Sequence, residues 1–341
     1  MTDRYTIGVD LGGTNLRVAA YVVGNSLLET INLPTRLEKG PDGVMDDMCG
    51  AILQLKHRYS DGREFAGIGV GSPGPLELPE GVLHSPPNLP GWDGYHMLAA
   101  LEQRLQQRVH LQSDANLAVL AEYQLGSGRS YGIDSLCMLT LGTGVGNGII
   151  LNGQIWDGNN GMGGEAGHAT IEPEGIPCPC GNRGCLEQYA SATALIHAAK
   201  IAFAGKLGKI PTSAAEIAKL AREGNPEALK IFDTAGRALG ISIATLINTL
   251  NLPLYVVGGG VAGAWDLFAT RMMQEVRVRS YVYRFTEPTE EDRRQRSTRK
   301  TSIVHAELGS EAGILGACLL PLMAEGSAKP LASINSFAAP A

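Results

Sequence analysis

The sequence predicts an α/β protein built from alternating strands and helices. Three observations support this fold class. Short apolar runs typical of strands recur along the chain, and amphipathic helical stretches separate them. Two of the strand pairs are joined by glycine-rich turns, one early in the chain and one near its middle. Because these two hairpins resemble each other in kind, we expect two related lobes with a cleft between them.

The first third of the chain begins with a β-hairpin. Residues 5–10, YTIGVD, alternate before the turn LGGT, and NLRVAAYVV resumes as a second strand. A helix over about 41–59, the buried strand FAGIGVGS and an amphipathic helix in GYHMLAALEQRLQQ follow. The short strand RVHLQSD ends at Asp114. Ser113 or Asp114 caps the next helix, ANLAVLAEYQLG, and Gly126 ends it.

The rest of the chain continues this alternation. SLCMLTLGTGVGNGIILNG is the second hairpin, and the chain becomes helical from Ala192. Ser213 and Glu216 form a capping-box pattern, and Asn225, followed by proline, opens a long helix. LPLYVVGGGVAG predicts a buried strand that leads through a glycine turn into a helix. We expect the charged run 286–300 to be a solvated loop and SEAGILGACLLPLM to be the final helix.

Composition and charge narrow the class of protein. Of the 341 residues, 44% are hydrophobic, and the formal net charge of −6 argues against a nucleic-acid or anionic-membrane partner. No apolar run reaches the roughly 18 residues that span a bilayer. The N-terminus enters a strand pattern at once, without the layout of a signal peptide. We therefore expect a cytoplasmic protein whose cysteines are free thiols or metal ligands rather than disulfides.

Three glycine-rich loops after apolar strands suggest a nucleotide site. In the first, DLGGTN, glycines let backbone N–H groups approach an anion, and Asp10 could hold Mg²⁺ through water. The second, LGTGVGNG, repeats this composition, and the third, VGGGVAG, leads into a helix N-terminus. None of them is a Walker A or dinucleotide-binding fingerprint. A structural turn explains one such loop, whereas three together favour a nucleotide.

Phosphoryl transfer also needs a base that takes the acceptor's proton. The best candidate is Asp114 in QSDANLA, because it lies where an apolar strand ends and a helix begins. Such a junction is rigid and holds a side chain in a fixed direction. The alternative is that Asp114 is only an N-cap residue.

A cluster of cysteines with one histidine predicts a zinc site. The spacing H-x9-C-x-C-x4-C supplies three thiolates and an imidazole, which suit tetrahedral Zn²⁺. Because four protein ligands leave no open position, this zinc would be structural. Reduced thiols or a redox pair are the alternative. The predicted ligands are His168, Cys178, Cys180 and Cys185. The remaining cysteines lie in apolar stretches and are expected in the core; they are Cys49, Cys137 and Cys318.

Two glutamates border this cluster in the sequence. Glu165 lies three residues before His168, and Glu187 lies two residues after Cys185. Each is an ordinary surface glutamate if taken alone. Zinc would draw the two ends of the loop together and bring both carboxylates near His168. Acceptors gathered around one imidazole suit a ligand that is rich in hydroxyl groups.

Together these stretches resemble the ROK family of sugar kinases and repressors, over about residues 5–320. Within the family the likeness is strongest to bacterial glucokinases. The resemblance is carried by IGVDLGGTNLRVAAY, GVGSPGPL, SPPNLPGWDG, SDANLAVLAE, LTLGTGVGNGIILNGQIWDGNNGMGGEAGH, CPCGNRGCLEQYAS and YVVGGGVAGA.

This resemblance implies an actin-like ATPase (ribonuclease-H-like) fold with two lobes that close around a central cleft. We expect residues 1–115 plus about 310–325 in the small lobe, 116–309 in the large lobe, and the zinc-binding loop at 163–191. Residues 326–341 are expected to be a disordered tail. The implied reaction is phosphorylation of a hexose, most simply glucose, by ATP with Mg²⁺. The implied assembly is a homodimer or higher homo-oligomer.

The resemblance also implies roles for single residues. Asp114 would deprotonate the sugar's primary hydroxyl, and His168 would bind zinc through one ring nitrogen and reach the sugar with the other. Closure of the lobes would exclude water. The implied sugar-binding residues are Gly71, Ser72, Asn88, Ser113, Asp114, Glu165, His168 and Glu187. The implied nucleotide-binding residues are Asp10, Gly12, Gly13, Thr14, Asn15, Gly142, Thr143, Gly144, Gly258, Gly259 and Gly260.

Ser113 departs from the family pattern, which commonly has asparagine before the catalytic aspartate. This leaves open how the sugar's far hydroxyls are discriminated. The alternatives are a kinase for N-acetylglucosamine, N-acetylmannosamine, fructose or mannose, a sugar-sensing repressor, or an inactive sugar-binding protein. Repressors carry a helix-turn-helix ahead of the first glycine loop, where Asp10 leaves no room for one. An intact Asp114 and three glycine loops argue against an inactive protein.

Overall fold

A computed structural model describes residues 4–24, 27–205 and 210–326. The tail expected to be disordered, 326–341, lies outside the described residues except for Gly326. The strands are β1 (Arg4–Leu11), β2 (Asn15–Val22), β3 (Leu27–Pro34), β4 (Glu64–Ser72), β5 (Leu76–Glu77), β6 (Val82–Leu83), β7 (His110–Ser113), β8 (Leu136–Leu141), β9 (Val145–Leu151), β10 (Gln154–Ile155), β11 (Leu254–Gly258) and β12 (Ser302–His305). The helices are α1 (Gly40–Tyr59), α2 (Met97–Leu105), α3 (Asp114–Gln124), α4 (Ser127–Tyr131), α5 (Glu187–Ala190), α6 (Ala192–Ala202), α7 (Ala214–Arg222), α8 (Pro226–Leu250), α9 (Trp265–Arg279), α10 (Tyr283–Thr286), α11 (Glu290–Arg294) and α12 (Ala312–Ala324).

Two five-stranded sheets repeat the same order of strands. The first sheet runs β3–β2–β1–β4–β7, and the second runs β10–β9–β8–β11–β12. In the first sheet β1 pairs antiparallel with β2 and parallel with β4, which pairs parallel with β7. In the second sheet β8 and β12 both pair parallel with β11. The predicted α/β class and both predicted hairpins are therefore confirmed, and the repeated order agrees with two related halves.

The chain forms two compact units. Unit 1 takes the described residues of Met1–Arg129, Ile150–Gly163 and Glu311–Ala341, and unit 2 takes those of Ser130–Ile149 and Gly164–Ser310. Helix α4 and strand β9 pass from one unit to the other. The lobes expected from the sequence are bodies that move when they close on ligands, which is a different property from compactness. Their boundaries therefore stay a prediction.

In unit 1 small residues let helix α12 lie directly on the first sheet. A Cβ at Gly8 in β1 would lie 2.6 Å from the backbone nitrogen of Cys318 in α12. A Cβ at Gly316 would overlap the backbone of Leu117 in α3. This close packing buries the sheet face behind β1, β4 and β7, so the ends of these strands are held rigidly.

In unit 2 the long helix α8 packs on α9 in the same manner. Asn225 caps α8 by accepting the N–H groups of Glu227 and Ala228, as the sequence predicts. On α8, a Cβ at Gly236 would lie 2.6 Å from the carbonyl oxygen of Phe268, and one at Gly240 would lie 2.5 Å from that of Met272. The absence of side chains at these glycines therefore lets the two helix backbones approach closely.

One prediction about secondary structure was partly wrong. The charged run 286–300 was expected to be a loop, but it contains helix α11. A capping box explains the helix, because the Thr289 hydroxyl accepts the Asp292 N–H and the Asp292 carboxylate accepts the Thr289 N–H. The three cysteines expected in the core, Cys49, Cys137 and Cys318, are all buried. Among the described residues, no helix combines the length and the apolarity that a membrane crossing requires.

Candidate active site

In unit 1 three parallel strands end side by side and present the first group of predicted site residues. The pairing register aligns Asp10 of β1 with Gly71 of β4, and Gly71 with Gln112 of β7. One step further, Ser72 is aligned with Ser113. The carboxyl ends of neighbouring parallel strands are a common place for a ligand site. The sheet therefore brings the first glycine loop, the Gly71–Ser72 segment and the candidate base together.

The turn between β1 and β2 is closed by its own backbone. The Gly12 N–H donates to the Asn15 carbonyl at 2.8 Å, and the Thr35 hydroxyl donates to the Gly12 carbonyl at 2.7 Å. The Gly12 N–H is therefore engaged in the turn, contrary to the expectation that it faces an anion. Gly13 has a different reason to be glycine, because a Cβ there would lie 2.6 Å from the carbonyl oxygen of Asn88. This contact joins the first glycine loop to a predicted sugar-binding segment.

Asp10, the predicted magnesium residue, forms an ion pair that the sequence did not predict. Its Oδ2 accepts from Nη2 of Arg17 at 2.7 Å and from Nε at 3.2 Å. Nη1 of Arg17 also lies 3.3 Å from Oε1 of Glu311. The predicted hairpin could have indicated Arg17 as the partner of Asp10, since Arg17 is paired directly opposite Asp10.

The candidate base Asp114 is the first residue of α3, and its side chain is exposed. Its Oδ1 accepts the N–H of Ala115 at 2.7 Å. Ser113, not Asp114, is the N-cap residue, because the Ser113 hydroxyl accepts the Asn116 N–H at 3.3 Å. The Ser113 hydroxyl keeps its own proton for donation. Of the two N-cap candidates that the sequence offered, Ser113 is therefore the cap, and Asp114 occupies the first position of the helix.

In unit 2 the turn between β8 and β9 resembles the first turn but meets a different partner. The Gly142 N–H donates to the Gly144 carbonyl at 3.0 Å, so this turn is also closed by its first glycine. The Glu187 carboxylate accepts the Val145 N–H at 2.9 Å, and a Cβ at Gly144 would overlap that carboxylate. Thr143 is held through its carbonyl, which accepts the Thr193 hydroxyl at 2.8 Å. Glu187 therefore binds the second glycine loop as well as bordering the cysteine cluster.

The third glycine loop follows β11. Gly259 has a φ of +87°, and a Cβ there would lie 2.6 Å from the backbone of Leu141. A Cβ at Gly258 would lie 2.5 Å from Cε of Met138, whereas nothing lies within 4 Å of a Cβ built at Gly260. A 3₁₀ turn over Gly260–Ala264 then leads into α9. The first two glycines are thus explained by packing against β8, and Gly260 is the one with open space for a ligand.

The four predicted zinc ligands come together in unit 2. The ligand atoms of His168, Cys178, Cys180 and Cys185 all lie within 4.8 Å of one another. Nδ1 of His168 lies 3.8 Å from Sγ of Cys178, and the Sγ atoms of Cys180 and Cys185 are 3.7 Å apart. A Zn–S distance of about 2.3 Å in a tetrahedron gives ligand–ligand distances of about 3.8 Å. The cluster therefore fits a tetrahedral metal ion.

Tight backbone turns shape this cluster. Gly184 has a φ of +70°, and a Cβ there would overlap the carbonyl oxygen of Glu172. The Cys178 N–H donates to the Asn182 carbonyl at 2.8 Å, and the Asn182 side chain donates to the His168 carbonyl at 3.1 Å. Because Nδ1 of His168 faces the thiols, its Nε2 is left for another partner.

The Glu165 carboxyl interacts electrostatically with both His168 and Glu187. Burial raises the pKa of the Glu165 carboxyl, and the negative charge of Glu187 raises it further. His168 acts in the opposite direction and lowers that pKa. Glu165 therefore lies within electrostatic range of both His168 and Glu187, and the predicted acceptor-rich sugar site stays a prediction.

Comparison with known proteins adds independent findings. The profile of the ROK family matches residues 6–323. A glucokinase from Thermotoga maritima is 34% identical over 279 residues, which cover 79% of this chain and 86% of the relative. An N-acetylmannosamine kinase from Yersinia pestis is 30% identical over 256 residues, covering 75% of this chain and 82% of the relative.

Two solved structures are similar over nearly the whole chain. A ROK hexokinase from Thermus thermophilus has a TM-score of 0.77 at 31% identity, and the match covers 95% of this chain and 99% of the other. A ROK glucokinase from Streptomyces griseus, solved in complex with glucose and AMPPNP, has a TM-score of 0.73 at 30% identity. That match covers 92% of this chain and 98% of the other. The fold is accordingly the actin-like ATPase fold that the resemblance implied.

Proposed function

The chain belongs to the ROK family, and on that premise we propose that it is a glucokinase, a sugar kinase that transfers the γ-phosphoryl group of ATP to the 6-hydroxyl of glucose. The observation that carries the proposal is the row of strand ends in unit 1. There Asp10, Gly71 and Gln112 are aligned on neighbouring strands, and Asp114 begins the helix that follows. A base fixed at such a junction, next to a glycine loop, suits phosphoryl transfer.

In the proposed reaction Asp114 takes the proton of the sugar's 6-hydroxyl. The hydroxyl oxygen then forms a bond to the γ-phosphorus as the bond between that phosphorus and the β–γ bridging oxygen breaks, which releases ADP. Asp114 is exposed to solvent at the start of α3, and Ser113 rather than Asp114 is the N-cap residue, which supports the role of Asp114 as the base. Ser113 can donate its proton to a second sugar oxygen.

We assign the Mg²⁺ that accompanies ATP to the vicinity of Asp10. Mg²⁺ keeps several of its waters and is held by one or two carboxylates together with phosphate oxygens. A single strand-end carboxylate fits that donor set, and its pairing with Arg17 places a second cation beside it. When bound, Mg²⁺ neutralises phosphate charge. Asp10 would hold its water shell, and the two hydrogen bonds from Arg17 would keep the Asp10 carboxylate oriented.

We assign recognition of the sugar in unit 2 to Glu165, His168 and Glu187. The distances within the cysteine cluster support a structural Zn²⁺ bound by Nδ1 of His168. With Zn²⁺ held at Nδ1, the Nε2 atom of His168 would be the N–H donor to a sugar hydroxyl. The two carboxylates accept from further hydroxyls. Because all four metal positions are filled by protein, the zinc would not act on phosphate directly.

The direct test measures ADP release from ATP with a panel of sugars: glucose, mannose, fructose, N-acetylglucosamine and N-acetylmannosamine. The proposal expects glucose to give the largest kcat/KM. A rate that does not exceed the sugar-free ATPase background with any sugar would reject the kinase assignment, and this outcome would favour a sugar-sensing regulator instead.

A second candidate is an N-acetylhexosamine kinase. It is favoured by the 30% identity to an N-acetylmannosamine kinase and by Ser113, which is smaller than the asparagine usual at that position. A smaller side chain leaves more space beside the sugar. A larger kcat/KM for N-acetylmannosamine than for glucose in the same panel would select this candidate.

A further inference from the structure

We infer that Asp157 positions the catalytic base Asp114. The Asp157 carboxylate accepts hydrogen bonds from Gln112, which precedes Ser113, and from Asn116, in the first turn of α3. This inference rests on the proposed function of Asp114. Asp157 lies in the loop after β10 and is a residue for which the sequence predicted no role; it belongs to unit 1 together with α3.

The carboxylate is the meeting point of two buried amide side chains. Oδ1 of Asp157 accepts from Nε2 of Gln112 at 2.8 Å and from Nδ2 of Asn116 at 3.3 Å. The Gln112 Oε1 in turn accepts the Ser113 N–H at 2.8 Å and Nδ2 of Asn116 at 3.1 Å. Gln112 precedes the Ser113–Asp114 pair and Asn116 follows it. The network therefore holds the junction of β7 and α3 from both sides.

Burial makes these bonds important for the local geometry. Gln112 is 4% exposed and Asn116 is 1% exposed, so water cannot replace a lost partner at little cost. The Oδ1 atom of Asn116 has no hydrogen-bond partner among the described residues, so this amide is held only through its N–H groups. Without Asp157, Nε2 of Gln112 would lose the partner that fixes the amide, and the Gln112 side chain would be free to turn away from the Ser113 N–H.

The loop that carries Asp157 is itself fixed. The Asp157 carbonyl accepts the Gly163 N–H at 2.9 Å, and a Cβ at Gly163 would lie 2.8 Å from the backbone carbonyl carbon of Asp157. Further along, the Asn160 carbonyl accepts the Leu78 N–H at 2.9 Å. A carboxylate on this closed loop is a stable anchor for the two amides.

The consequence for catalysis is geometric. Asp114 is the first residue of α3, so any rotation of the helix start moves its carboxylate relative to the sugar hydroxyl. A misplacement of about 1 Å in such a group costs on the order of 10²-fold in rate. Asp157 has no assigned contact with substrate and acts through Gln112 and Asn116, so it is a positioning residue.

The test compares Asp157→Ala with Asp157→Asn. Both hydrogen bonds end on one oxygen, Oδ1, and asparagine keeps an acceptor oxygen in that place, whereas alanine removes it. We expect Asp157→Ala to lower kcat about 10- to 100-fold with little change in the KM for ATP. Asp157→Asn should stay within about 3-fold of the wild-type kcat. Asn159→Ala, an exposed position in the same loop, serves as the matched control.

A pH profile and melting temperatures separate positioning from a loss of stability. The acidic limb of kcat/KM reports the pKa of the base. It should move further in Asp157→Ala than in Asp157→Asn, because both variants lose the carboxylate charge and only alanine also loses the acceptor oxygen, and it should stay in place in Asn159→Ala. The inference is overturned if Asp157→Ala keeps the wild-type kcat and pH profile, or if Asp157→Asn is as slow as Asp157→Ala. It is also overturned if the loss in Asp157→Ala disappears well below its melting temperature. Failure of the proposed function differs from these outcomes, since the wild-type protein itself would then phosphorylate no sugar.

Discussion

The predicted site residues of unit 1 and those of unit 2 are held by different means. In unit 1 they lie at the ends of paired strands, where the register of β1, β4 and β7 fixes the positions of Asp10, Gly71 and Ser113. In unit 2 Glu165, His168 and Glu187 belong to the loop 163–191, which contains little regular structure. In this loop the backbone turns and the cluster of three cysteines and one histidine hold the residues in place, as strand pairing does in unit 1.

The same difference appears in the two glycine turns. Gly13 is packed against backbone, the carbonyl oxygen of Asn88, whereas Gly144 is packed against a side chain, the Glu187 carboxylate. A backbone group in a fixed segment cannot move away, while the end of a glutamate can. On the proposed function, the base in unit 1 would therefore be held in a fixed place, whereas recognition in unit 2 would depend on a few side-chain and metal bonds.

The largest effect is expected from the base of unit 1. Asp114→Asn keeps the size of the side chain but cannot accept the hydroxyl proton, so kcat should fall about 10³- to 10⁴-fold while the sugar still binds. Steady-state kinetics and equilibrium sugar binding measure the two effects. Turnover like that of the wild type would show that Asp114 is not the base.

Loss of the metal from unit 2 should come next and act on a different parameter. We expect about one zinc per chain by metal analysis, and Cys185→Ser should remove it and raise the sugar KM about 10- to 100-fold. The KM for ATP should change much less, because on the proposed function the cluster orients the loop that binds the sugar. Cys49→Ala, at a buried cysteine outside the cluster, is the control. A zinc-free protein with full activity would contradict the closed metal site.

Glu187→Gln tests recognition in unit 2 without disturbing the metal. The amide still reaches the Val145 N–H through its oxygen but loses the charge that attracts sugar hydroxyls, so the sugar KM should rise about 10-fold and the ATP KM much less. Glu174→Gln, an exposed position of the same loop, should leave both unchanged. Equal shifts of the two KM values would mean that Glu187 is structural.

The two glycine turns give the smallest and most direct comparison. Gly13→Ala pushes against the backbone of Asn88 and should lower the free energy of unfolding by about 1–3 kcal/mol. Gly144→Ala pushes only against the movable Glu187 carboxylate, so stability should stay nearly unchanged and the sugar KM should rise a few-fold. Thermal unfolding and kinetics of both variants, with Gly50→Ala as an open-space control, measure these effects. An equal loss of stability in both variants would refute the difference between the two turns.

The sequence predicted most of the local structure and many of the chemical groups of the site. The hairpins, the caps at Ser113 and Asn225, the buried cysteines and the Cys₃His spacing each depend on residues close together in the chain. It did not predict the pairing of Arg17 with Asp10 in space, the engagement of the Gly12 N–H, or the part played by Asp157. These three features are contacts between residues, and the type of a residue does not reveal which other residue it contacts in the fold.

The sequence by itself thus determined the fold class, the candidate base and the four candidate metal ligands, because local spacing and polarity encode them. Only the tertiary structure decided that the strand ends align Asp10, Gly71 and Gln112. It also decided that the Glu187 carboxylate packs against Gly144 and that Asp157 accepts a hydrogen bond from Gln112. The physical reason is that strand register and close packing join segments far apart in the chain. Gln112 and Asp157 are 45 positions apart in the chain, and nothing local in the sequence between them indicates that contact.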